Sequence, residues 1–392
     1  MKTAGIIAEY NPFHNGHAYH IDKCRELTGC DNIVAVMSGD FVQRGEPAIL
    51  NKHIRTEAAL MNGVDVVIEL PVVFSMSSAE YFASAAVYLL NETNSVDALC
   101  FGSEETDVDT LSNAADVLLN ETPAFKRIIS EKLSEGTSFA TARHEAANAA
   151  YGKVLPLREP NSILGVEYIK ALKRLNSTIV PFAAPRTGAA HDQPTVGNCS
   201  ASASAIRTAA KSSRFVDIEE TMPPESLRIL KSAPHLTDID DFSPLLHHVL
   251  FSKTERELAE VFDMSEGLHN RIISASKSNY LISEIVRQVK TKRYTYTKIQ
   301  RVIMNIILNV TKPFFNEYGG KPPYIRVLGF NRKKEWLLKE IANNASIPVV
   351  TNMNKTGSKT PPVHEFDIKV SELYNAVSQS PMSEYSRQLI KI

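Results

Sequence analysis

Two imidazole side chains, His14 and His17, flank Gly16 in a polar segment that follows the first apolar run of the chain. Where such a segment opens a helix, unpaired backbone N–H groups can bind an anion. Gly16 would let the backbone approach a phosphate closely, and the imidazoles could donate charge-assisted hydrogen bonds to an α-phosphate during an in-line displacement. The spacing therefore predicts phosphoryl-transfer chemistry, with His14 and His17 as catalytic groups.

Two other interpretations of these histidines remain open. His14, His17 and His20 are spaced three residues apart, which is compatible with a metal site, but no nearby cysteine completes a ligand set. The histidines could equally be ordinary polar residues at the start of a helix. We therefore assign no metal-ligating residue.

A second set of groups for phosphate binding lies in the hydroxyl-rich turn Ser200-Ala201-Ser202-Ala203-Ser204-Ala205-Ile206-Arg207. Serine hydroxyls just before a helix are good N-caps and can donate to phosphate oxygens. Arg207 could clamp the outer phosphates of a nucleotide. The alternative is simply a capped helix that follows a serine-rich loop.

The elements that must position these turns alternate between strand and helix through the first half of the chain. The strand candidates are residues 5–8, 33–37, 64–70, 98–101 and 178–182, and helical periodicity marks residues 16–28, 52–62, 77–91 and 162–175. This alternation predicts an α/β fold with a doubly wound parallel sheet, in which ligands bind beyond the carboxyl ends of the strands. Residues 105–155 interrupt it with three helix-like segments, which predicts a helical insertion.

The second half of the chain has a different predicted secondary-structure pattern. Residues 215–312 are mostly helical, and a strand–helix–strand pattern follows over residues 324–351. We therefore predict two domains, a nucleotide-binding catalytic domain over residues 1–215 and a mainly helical domain over residues 216–392 that contains a small βαβ unit. No run of about 18 apolar residues predicts a membrane span, and four scattered cysteines predict no disulfide framework, so we expect a cytoplasmic protein.

A basic block lies inside this second part, although the net charge of the whole chain is −1. Residues 271–339 carry 15 Lys and Arg but only 3 Asp and Glu, which is typical of a polyanion-binding surface. Its most concentrated part interleaves basic and aromatic side chains, as suits phosphate contacts and base stacking: Lys290, Lys292, Arg293, Tyr294, Tyr296, Lys298 and Arg301. The alternative is a helix bundle with core tyrosines and solvated lysines.

Together, the HxGH loop after the first strand and the Ser-x-Ser-x-Ile-Arg turn resemble the nucleotidyltransferase superfamily with the HIGH signature. In that superfamily the second motif is usually written ISSTxIR, and here it is ASASAIR. Ser204 stands where threonine is common and keeps the hydroxyl, while Ala201 replaces the apolar isoleucine. Neither difference removes a polar group that the chemistry needs.

The chain more closely resembles the bacterial tRNA(Met) cytidine acetate ligase family. The motifs that carry this resemblance are Ala8-Glu9-Tyr10-Asn11-Pro12-Phe13-His14-Asn15-Gly16-His17, Met37-Ser38-Gly39-Asp40-Phe41-Val42-Gln43-Arg44-Gly45-Glu46-Pro47, Val67-Ile68-Glu69-Leu70-Pro71, Phe101-Gly102-Ser103-Glu104 and Pro160-Asn161-Ser162-Ile163-Leu164-Gly165. The resemblance implies that ATP and acetate form acetyl-adenylate. It further implies transfer of the acetyl group to N4 of the wobble cytidine of elongator tRNA(Met), with AMP and pyrophosphate as by-products. Mg²⁺ is expected to accompany the ATP phosphates.

The resemblance also assigns roles to residues. It implies ATP contacts at Ile7, Ala8, Glu9, Tyr10, Asn11, Pro12, Phe13, His14, Asn15, Gly16, His17, His20, Gly102, Asn161 and Arg186. We add Ser202, Ser204 and Arg207 from the second motif, with Arg207 also catalytic. Ser38 and Arg44 are expected near acetate or the incoming cytidine, and Asp40 could accept a proton from the cytidine amine or merely cap its loop. The substrate-binding residues expected on tRNA are Lys290, Lys292, Arg293, Tyr294, Lys298 and Arg301.

Two other functions remain open. A nucleotidyltransferase that builds a dinucleotide cofactor would use the same loops, but such enzymes lack a basic appendage of this size. An RNA-binding factor with a vestigial nucleotide site would not need the polar groups of both motifs, which are intact here.

Overall fold

The computed structural model describes residues 2–137, 139–152, 154–186, 201–265, 267–292, 294–353, 362–380 and 382–392. The strands in these ranges are β1 (Thr3–Ala8), β2 (Asn32–Ser38), β3 (Phe41–Val42), β4 (Glu46–Pro47), β5 (Val66–Leu70), β6 (Ala98–Ser103), β7 (Val180–Pro185), β8 (Ile325–Phe330), β9 (Val349–Val350) and β10 (Ile390–Lys391). The α-helices are α1 (Asn15–Thr28), α2 (Lys52–Met61), α3 (Val72–Ser75), α4 (Ala79–Glu92), α5 (Val108–Leu119), α6 (Pro123–Ser134), α7 (Phe139–Tyr151), α8 (Pro160–Leu175), α9 (Ala203–Lys211), α10 (Pro224–Ser232), α11 (Ser243–Ser252), α12 (Glu255–Ala259), α13 (Leu268–Ser276), α14 (Ile282–Val289), α15 (Tyr296–Leu308), α16 (Lys312–Glu317), α17 (Glu335–Asn344) and α18 (Pro362–Val377).

The main sheet has the strand order β10-β8-β5-β2-β1-β6-β7, and β9 pairs with β8. From β5 to β7 all neighbours are parallel. Successive residues of β2 pack into two different apolar cores, Val34 into one and Ile33 into the other, because side chains alternate across a strand. Helices therefore cover both faces, and the predicted doubly wound α/β fold is confirmed.

The order of the strands fixes where a ligand can bind. The chain runs outward from β1 to β2 and β5 on one side, and to β6 and β7 on the other. The connections therefore reverse direction between β1 and β6, and the crevice beyond their carboxyl ends is the usual ligand site of such a sheet. The loops that follow Ala8 and Ser103 flank this crevice.

The predicted βαβ unit is present as β8, α17 and β9, with β8 and β9 parallel. However, β8 also pairs with β5 in the antiparallel sense, so this unit extends the sheet of the first half rather than standing apart. The pairing places Arg326 opposite Glu69. One sheet thus contains strands from both sides of residue 215, while the division into domains at that position stays a prediction.

The remaining helices follow the sequence expectations. Three helices, α5 to α7, fill the predicted insertion. In the second half, α15 packs against the turn between β3 and β4, where Gly45 has a φ of +81°. A Cβ atom at Gly45 would lie 2.3 Å from the backbone nitrogen of Arg301, so glycine is required both by conformation and by space.

A buried ionic network joins the ends of β2, β5 and β8. The Lys52 ammonium lies 2.7 Å from the Glu69 carboxylate, and the Arg326 guanidinium lies 2.8 Å from the other oxygen of Glu69. Glu384, near the end of the chain, pairs with both Lys52 and Arg326. Buried charges require such partners because desolvation is costly. The network therefore anchors the C-terminal segment to the strands that carry the site.

Asp367 adds a pH-dependent contribution beside this network. Its carboxylate accepts hydrogen bonds from the Val72 N–H (3.0 Å) and the Tyr324 hydroxyl (2.7 Å). Burial, followed by the charge of Glu69, raises the pKa of Asp367 to about 7. The folded chain then holds a proton that the unfolded chain releases above about pH 4. The free energy of unfolding should therefore fall as the pH rises from about 4 to 7, by up to about 1.4 kcal/mol per pH unit.

Asp367→Asn should flatten this slope, because the amide oxygen can still accept from the Val72 N–H and the amide NH2 can donate to the Tyr324 hydroxyl, while the amide does not titrate. Urea unfolding of the wild type and the variant at several pH values measures the difference in slope. A variant whose stability depends on pH as steeply as that of the wild type would contradict the assignment.

Candidate functional site

The two imidazoles form the start of helix α1. His14 is the N-cap residue, and its Nδ1 accepts a hydrogen bond from the Gly16 N–H at 3.0 Å. The His14 N–H in turn donates to Nδ1 of His17 at 3.2 Å. The two rings are stacked, with centroids 3.9 Å apart. Histidine thus fills both positions of a reciprocal cap that serine and glutamate usually supply.

This cap determines the tautomer of both rings. A nitrogen that accepts a hydrogen bond carries no proton, so each neutral ring carries its proton on Nε2. Burial, followed by the repulsion that His14 and His20 exert when protonated and by the charge of Arg186, holds the pKa of His17 well below its usual value. Both rings can therefore act as neutral Nε2–H donors, which replaces the charge-assisted donors expected from the sequence.

Gly16 is needed for a reason that the sequence did not reveal. A Cβ atom at this position would lie 2.9 Å from Cε1 and 3.0 Å from Nδ1 of His14. The absent side chain is what lets the His14 ring fold back over the first turn. On the other side, Tyr10 and Phe13 are buried and pack against the ring of His17.

The opposite wall of the crevice is a chain of polar contacts that begins at the end of β6. Glu104 accepts from the Ser162 N–H (2.8 Å) and from the Asn161 side-chain amide (2.5 Å). Asn161 accepts from the Arg186 guanidinium at 2.7 Å. Arg186 also covers Gly102, where a Cβ atom would lie 3.3 Å from the arginine Cγ. Gly102, Asn161 and Arg186, predicted from three separate motifs, thus come together in one cluster.

Electrostatics connect this wall to the histidines. Arg186 lies close enough to His20 to lower its pKa, after burial as the larger cause, to about 4. Burial also lowers the pKa of Arg186 itself, an effect that Glu104 opposes and Arg44 reinforces. Neutral imidazoles and crowded guanidinium groups give a crevice whose charge favours an anion.

Arg207 joins the second motif to the first. It projects from α9, whose N-cap is Ser202 with its hydroxyl accepting from the Ala205 N–H at 3.2 Å. The Arg207 guanidinium donates to the Asn11 carbonyl (3.0 Å) and pairs with Glu46 (2.7 Å). Ser204 is exposed on the first turn of α9. Arg207 therefore lies at the crevice, paired with a carboxylate from strand β4.

Arg55 holds the strand-end loops in place, and no sequence motif pointed to it. Its fully buried guanidinium donates to the carbonyls of Glu9 (2.5 Å), Leu50 (3.0 Å) and Ser38 (3.0 Å), and also to that of Gly39. The loops after β1 and β2 are thus tied to one side chain of α2. A lone arginine in an amphipathic helix gives no such signal in the sequence.

The loop after β2 contains Ser38, Asp40 and Arg44. Asp40 is buried and accepts from the backbone N–H of Lys52 at 2.8 Å, with the Lys52 ammonium 3.7 Å away. This is the capping arrangement that the sequence left open as an alternative to proton transfer. Ser38 is fully buried, and its hydroxyl has no hydrogen-bond partner among the described residues. Arg44 is half-buried and close enough to Glu9 to influence its pKa.

The residues expected to contact RNA do not all reach the surface. Lys290 and Lys292 are exposed, whereas Tyr294 is buried in the core. Lys298 pairs with Asp263 at 3.2 Å. Arg301 is buried, with its guanidinium near Asp263 and donating to the Gln43 carbonyl. Arg293 lies outside the described residues.

In this conformation Tyr294 and Arg301 therefore build the packing of α15 and are not available to a polyanion. The physical reason is that Arg301 lies on the inner face of α15, while Tyr294, two residues before the helix begins, is buried in the core. A plain basic–aromatic pattern does not show which of its side chains are buried.

The remaining predicted contacts line the same loop. Ile7 and Ala8 end β1, Glu9 accepts from the Gln43 N–H at 2.9 Å, Pro12 is buried, and Asn15 donates to the Glu220 carbonyl at 2.8 Å.

Within the described part of the chain, no group of three potential metal-ligating side chains is close enough to hold an ion. In the same residues, no helix combines the length and apolar character that crossing a membrane requires.

Comparison with known proteins identifies the family. A family model described as HIGH Nucleotidyl Transferase matches residues 1–388. A tRNA(Met) cytidine acetate ligase of Caldanaerobacter subterraneus subsp. tengcongensis is 42% identical over 366 residues, which cover 92% of this chain and 90% of that protein. A tRNA(Met) cytidine acetate ligase of Clostridium perfringens (strain SM101) is 41% identical over 393 residues, which cover 97% of this chain and 96% of that protein.

Two crystal structures of Thermotoga maritima TmcAL, each 33% identical to this chain, cover 100% of both chains. The apo form superposes with a TM-score of 0.93 and the form bound with alpha-thio ATP with a TM-score of 0.91. The chain therefore belongs to the tRNA(Met) cytidine acetate ligase family of HIGH nucleotidyl transferases.

Proposed function

We propose that this protein is an ATP-dependent ligase that forms acetyl-adenylate and transfers its acetyl group to N4 of the wobble cytidine of elongator tRNA(Met). The observation that carries the proposal is the meeting of three features at the strand crossover: the capped imidazole pair, the cluster of Gly102, Asn161 and Arg186, and Arg207. Relatives that carry the name of this activity match nearly the whole chain, and one solved relative binds alpha-thio ATP.

In the first step an acetate oxygen attacks the α-phosphorus of ATP. The new O–P bond forms as the bond between the α-phosphorus and its bridging oxygen to the β-phosphate breaks, and pyrophosphate leaves. Negative charge grows on the phosphate oxygens, where the Nε2–H groups of His14 and His17 can donate. Arg207 would exchange its contact with Glu46 for the outer phosphates, and the N-terminus of α1 would add backbone donors.

The nucleoside part of ATP fits the opposite wall. Gly102 brings bare backbone to this wall beside the Arg186 stem, and Asn161 offers a donor and an acceptor to a sugar or base edge. We propose that Mg²⁺ accompanies the ATP phosphates and is held by their oxygens and by water.

In the second step the N4 amine of cytidine attacks the acetyl carbonyl carbon. The C–N bond forms, the C–O bond to the adenylate breaks, AMP leaves, and the proton that the nitrogen loses passes to solvent water. Asp40 is occupied by the first turn of α2 and by Lys52, so we propose a structural role for it. The hydroxyl of Ser38, which has no hydrogen-bond partner among the described residues, is a donor that suits the acetate carboxylate.

The tRNA surface would lie on the helical second part, which we propose as the tRNA-binding domain. Lys290 and Lys292 are exposed there, and the basic block around them is the electrostatic footprint expected for a phosphate backbone.

Exchange of labelled pyrophosphate into ATP should depend on acetate and should need no tRNA. His14→Ser keeps an N-cap acceptor for α1 but removes the imidazole, so it should lower the exchange rate by about 10²-fold or more. His248→Ala, an exposed histidine on α11, is the matched control and should exchange like the wild type. A loss of less than about threefold in His14→Ser would mean that the loop only binds.

The same assay separates this function from the other two. A cofactor adenylyltransferase would ignore acetate, and a vestigial site would exchange nothing.

The pH dependence of exchange follows from the neutral imidazoles. Because the pKa of His17 lies well below 6.5, the ring is already neutral at higher pH, and its donor stays in place. With saturating ATP, the exchange rate should show no loss attributable to His17 between about pH 6.5 and 8.5. A fall of about tenfold per pH unit across this range would show that an imidazolium is the required donor.

Charge reversal tests the tRNA surface. Lys290→Glu with Lys292→Glu should weaken tRNA(Met) binding and reduce the slope of log affinity against log salt by about one for each phosphate that is no longer neutralised. ATP binding should not change. Lys126→Glu with Arg127→Glu, an equal charge change on exposed helix α6, is the matched control. Unchanged tRNA affinity of the first pair in low-salt filter binding would refute the proposed surface.

A further inference from the structure

An exposed tyrosine lies where the basic surface meets the nucleotide site. Tyr296 is the first residue of α15, and 39% of its surface is exposed. Its helix is seated on the β3–β4 turn through the close contact of Gly45 with the backbone of Arg301. The next residue of that turn is Glu46, the partner of Arg207. The close backbone contact between α15 and the β3–β4 turn thus holds Tyr296 near the nucleotide site.

The electrostatic surroundings of Tyr296 support this placement. Burial is the larger cause that raises the pKa of the Tyr296 phenol; Arg287 opposes it, while Asp240, Glu46 and Asp238 raise the pKa further. Asp238 and Asp240 are already engaged, with Lys211 and with Ser283 respectively. Arg287 is exposed on α14, which leads directly to Lys290. A basic surface therefore meets several carboxylates at Tyr296.

These carboxylates favour a base over a phosphate backbone. Carboxylates repel phosphates, so a polyanion held by Arg287 and Lys290 would keep its backbone away from them and bring only an unpaired base to Tyr296. Aromatic side chains stack on the face of such bases. A carboxylate accepts a hydrogen bond from the exocyclic amine of cytosine, and Glu46 uses only its Oε1 for Arg207 among the described residues.

We propose that Tyr296 and Glu46 form the binding site for the target cytosine, with the base stacked on Tyr296 and its N4 amine hydrogen-bonded to Glu46. This inference rests on the proposed function, because it assigns the base that receives the acetyl group. Once pyrophosphate has left, Arg207 would return to Glu46, which would then bridge Arg207 and the amine and bring the nucleophile next to the adenylate. Uracil, with an acceptor oxygen in place of the amine, would be repelled by the same carboxylate.

The stacking contact is tested by separating the two half-reactions. Tyr296→Ala should lower kcat/KM for acetylation of a tRNA(Met) transcript by about tenfold or more, while Tyr296→Phe, which keeps the ring, should stay within about twofold of the wild type. Acetate-dependent pyrophosphate exchange, which involves no tRNA, should be retained in both variants. Tyr280→Ala, another exposed tyrosine of the helical part, is the matched control and should acetylate normally.

The hydrogen bond to Glu46 is tested by competition. A tRNA(Met) transcript with uridine in place of the target cytidine should compete poorly with the normal transcript for the wild-type protein. Glu46→Gln supplies a donor for the uracil oxygen, so it should narrow the affinity difference between the two transcripts by about fivefold or more. This readout compares two RNAs on one variant, so a general loss of activity does not affect it.

The outcomes distinguish the two levels of the proposal. If the wild type shows no acetate-dependent exchange, the proposed function fails. If the wild type acetylates tRNA but Tyr296→Ala does so equally well, the proposed base site is wrong while the proposed function stands. The same conclusion follows if Tyr296→Phe and Tyr280→Ala are as impaired as Tyr296→Ala. An affinity difference that Glu46→Gln leaves unchanged would likewise remove Glu46 from the site.

Discussion

The site depends on how helix α1 begins. Its first backbone N–H groups are satisfied by Nδ1 of His14 and Nδ1 of His17, so structure and chemistry share the same two rings. The nitrogen that starts the helix cannot also carry a proton, and this leaves Nε2–H as the one donor of each neutral ring. Burial and neighbouring positive charge keep His17 neutral. Donors fixed in advance need no reorganisation when charge develops on a phosphate.

This arrangement requires a rigid support, which the second layer of side chains provides. Arg55 holds the carbonyls that follow β1 and β2, and Lys52, one turn earlier on the same helix, enters the buried ionic network with Glu69 and Glu384. The network reaches across β8 to the last residues of the chain. The C-terminal segment is therefore part of the frame of the nucleotide site, although it is more than 300 residues away in sequence.

Much of the sheet and of the nucleotide site could be predicted from the sequence, because local patterns of residues determine them. Buried parallel strands produce continuous apolar runs, and His14, Gly16, Asn161 and Arg207 lie in motifs whose loops meet at one edge of the sheet. The antiparallel pairing of β8 with β5 has no local signature, since it depends on a contact between distant segments. Tyr294 was misleading for a related reason, because the basic–aromatic pattern alone did not show that this side chain, just before α15, is buried in the core.

The central claim is that His14 and His17 are neutral donors through Nε2, held so by the cap of α1. Nitrogen-15 NMR of histidine-labelled protein at neutral pH tests it directly, because the chemical shifts of Nδ1 and Nε2 distinguish the two tautomers and the imidazolium. The account predicts that both rings show an unprotonated Nδ1 and a protonated Nε2, with and without a non-hydrolysable ATP analogue. Protonation of Nδ1 in either ring, as the other tautomer or as an imidazolium, would contradict it.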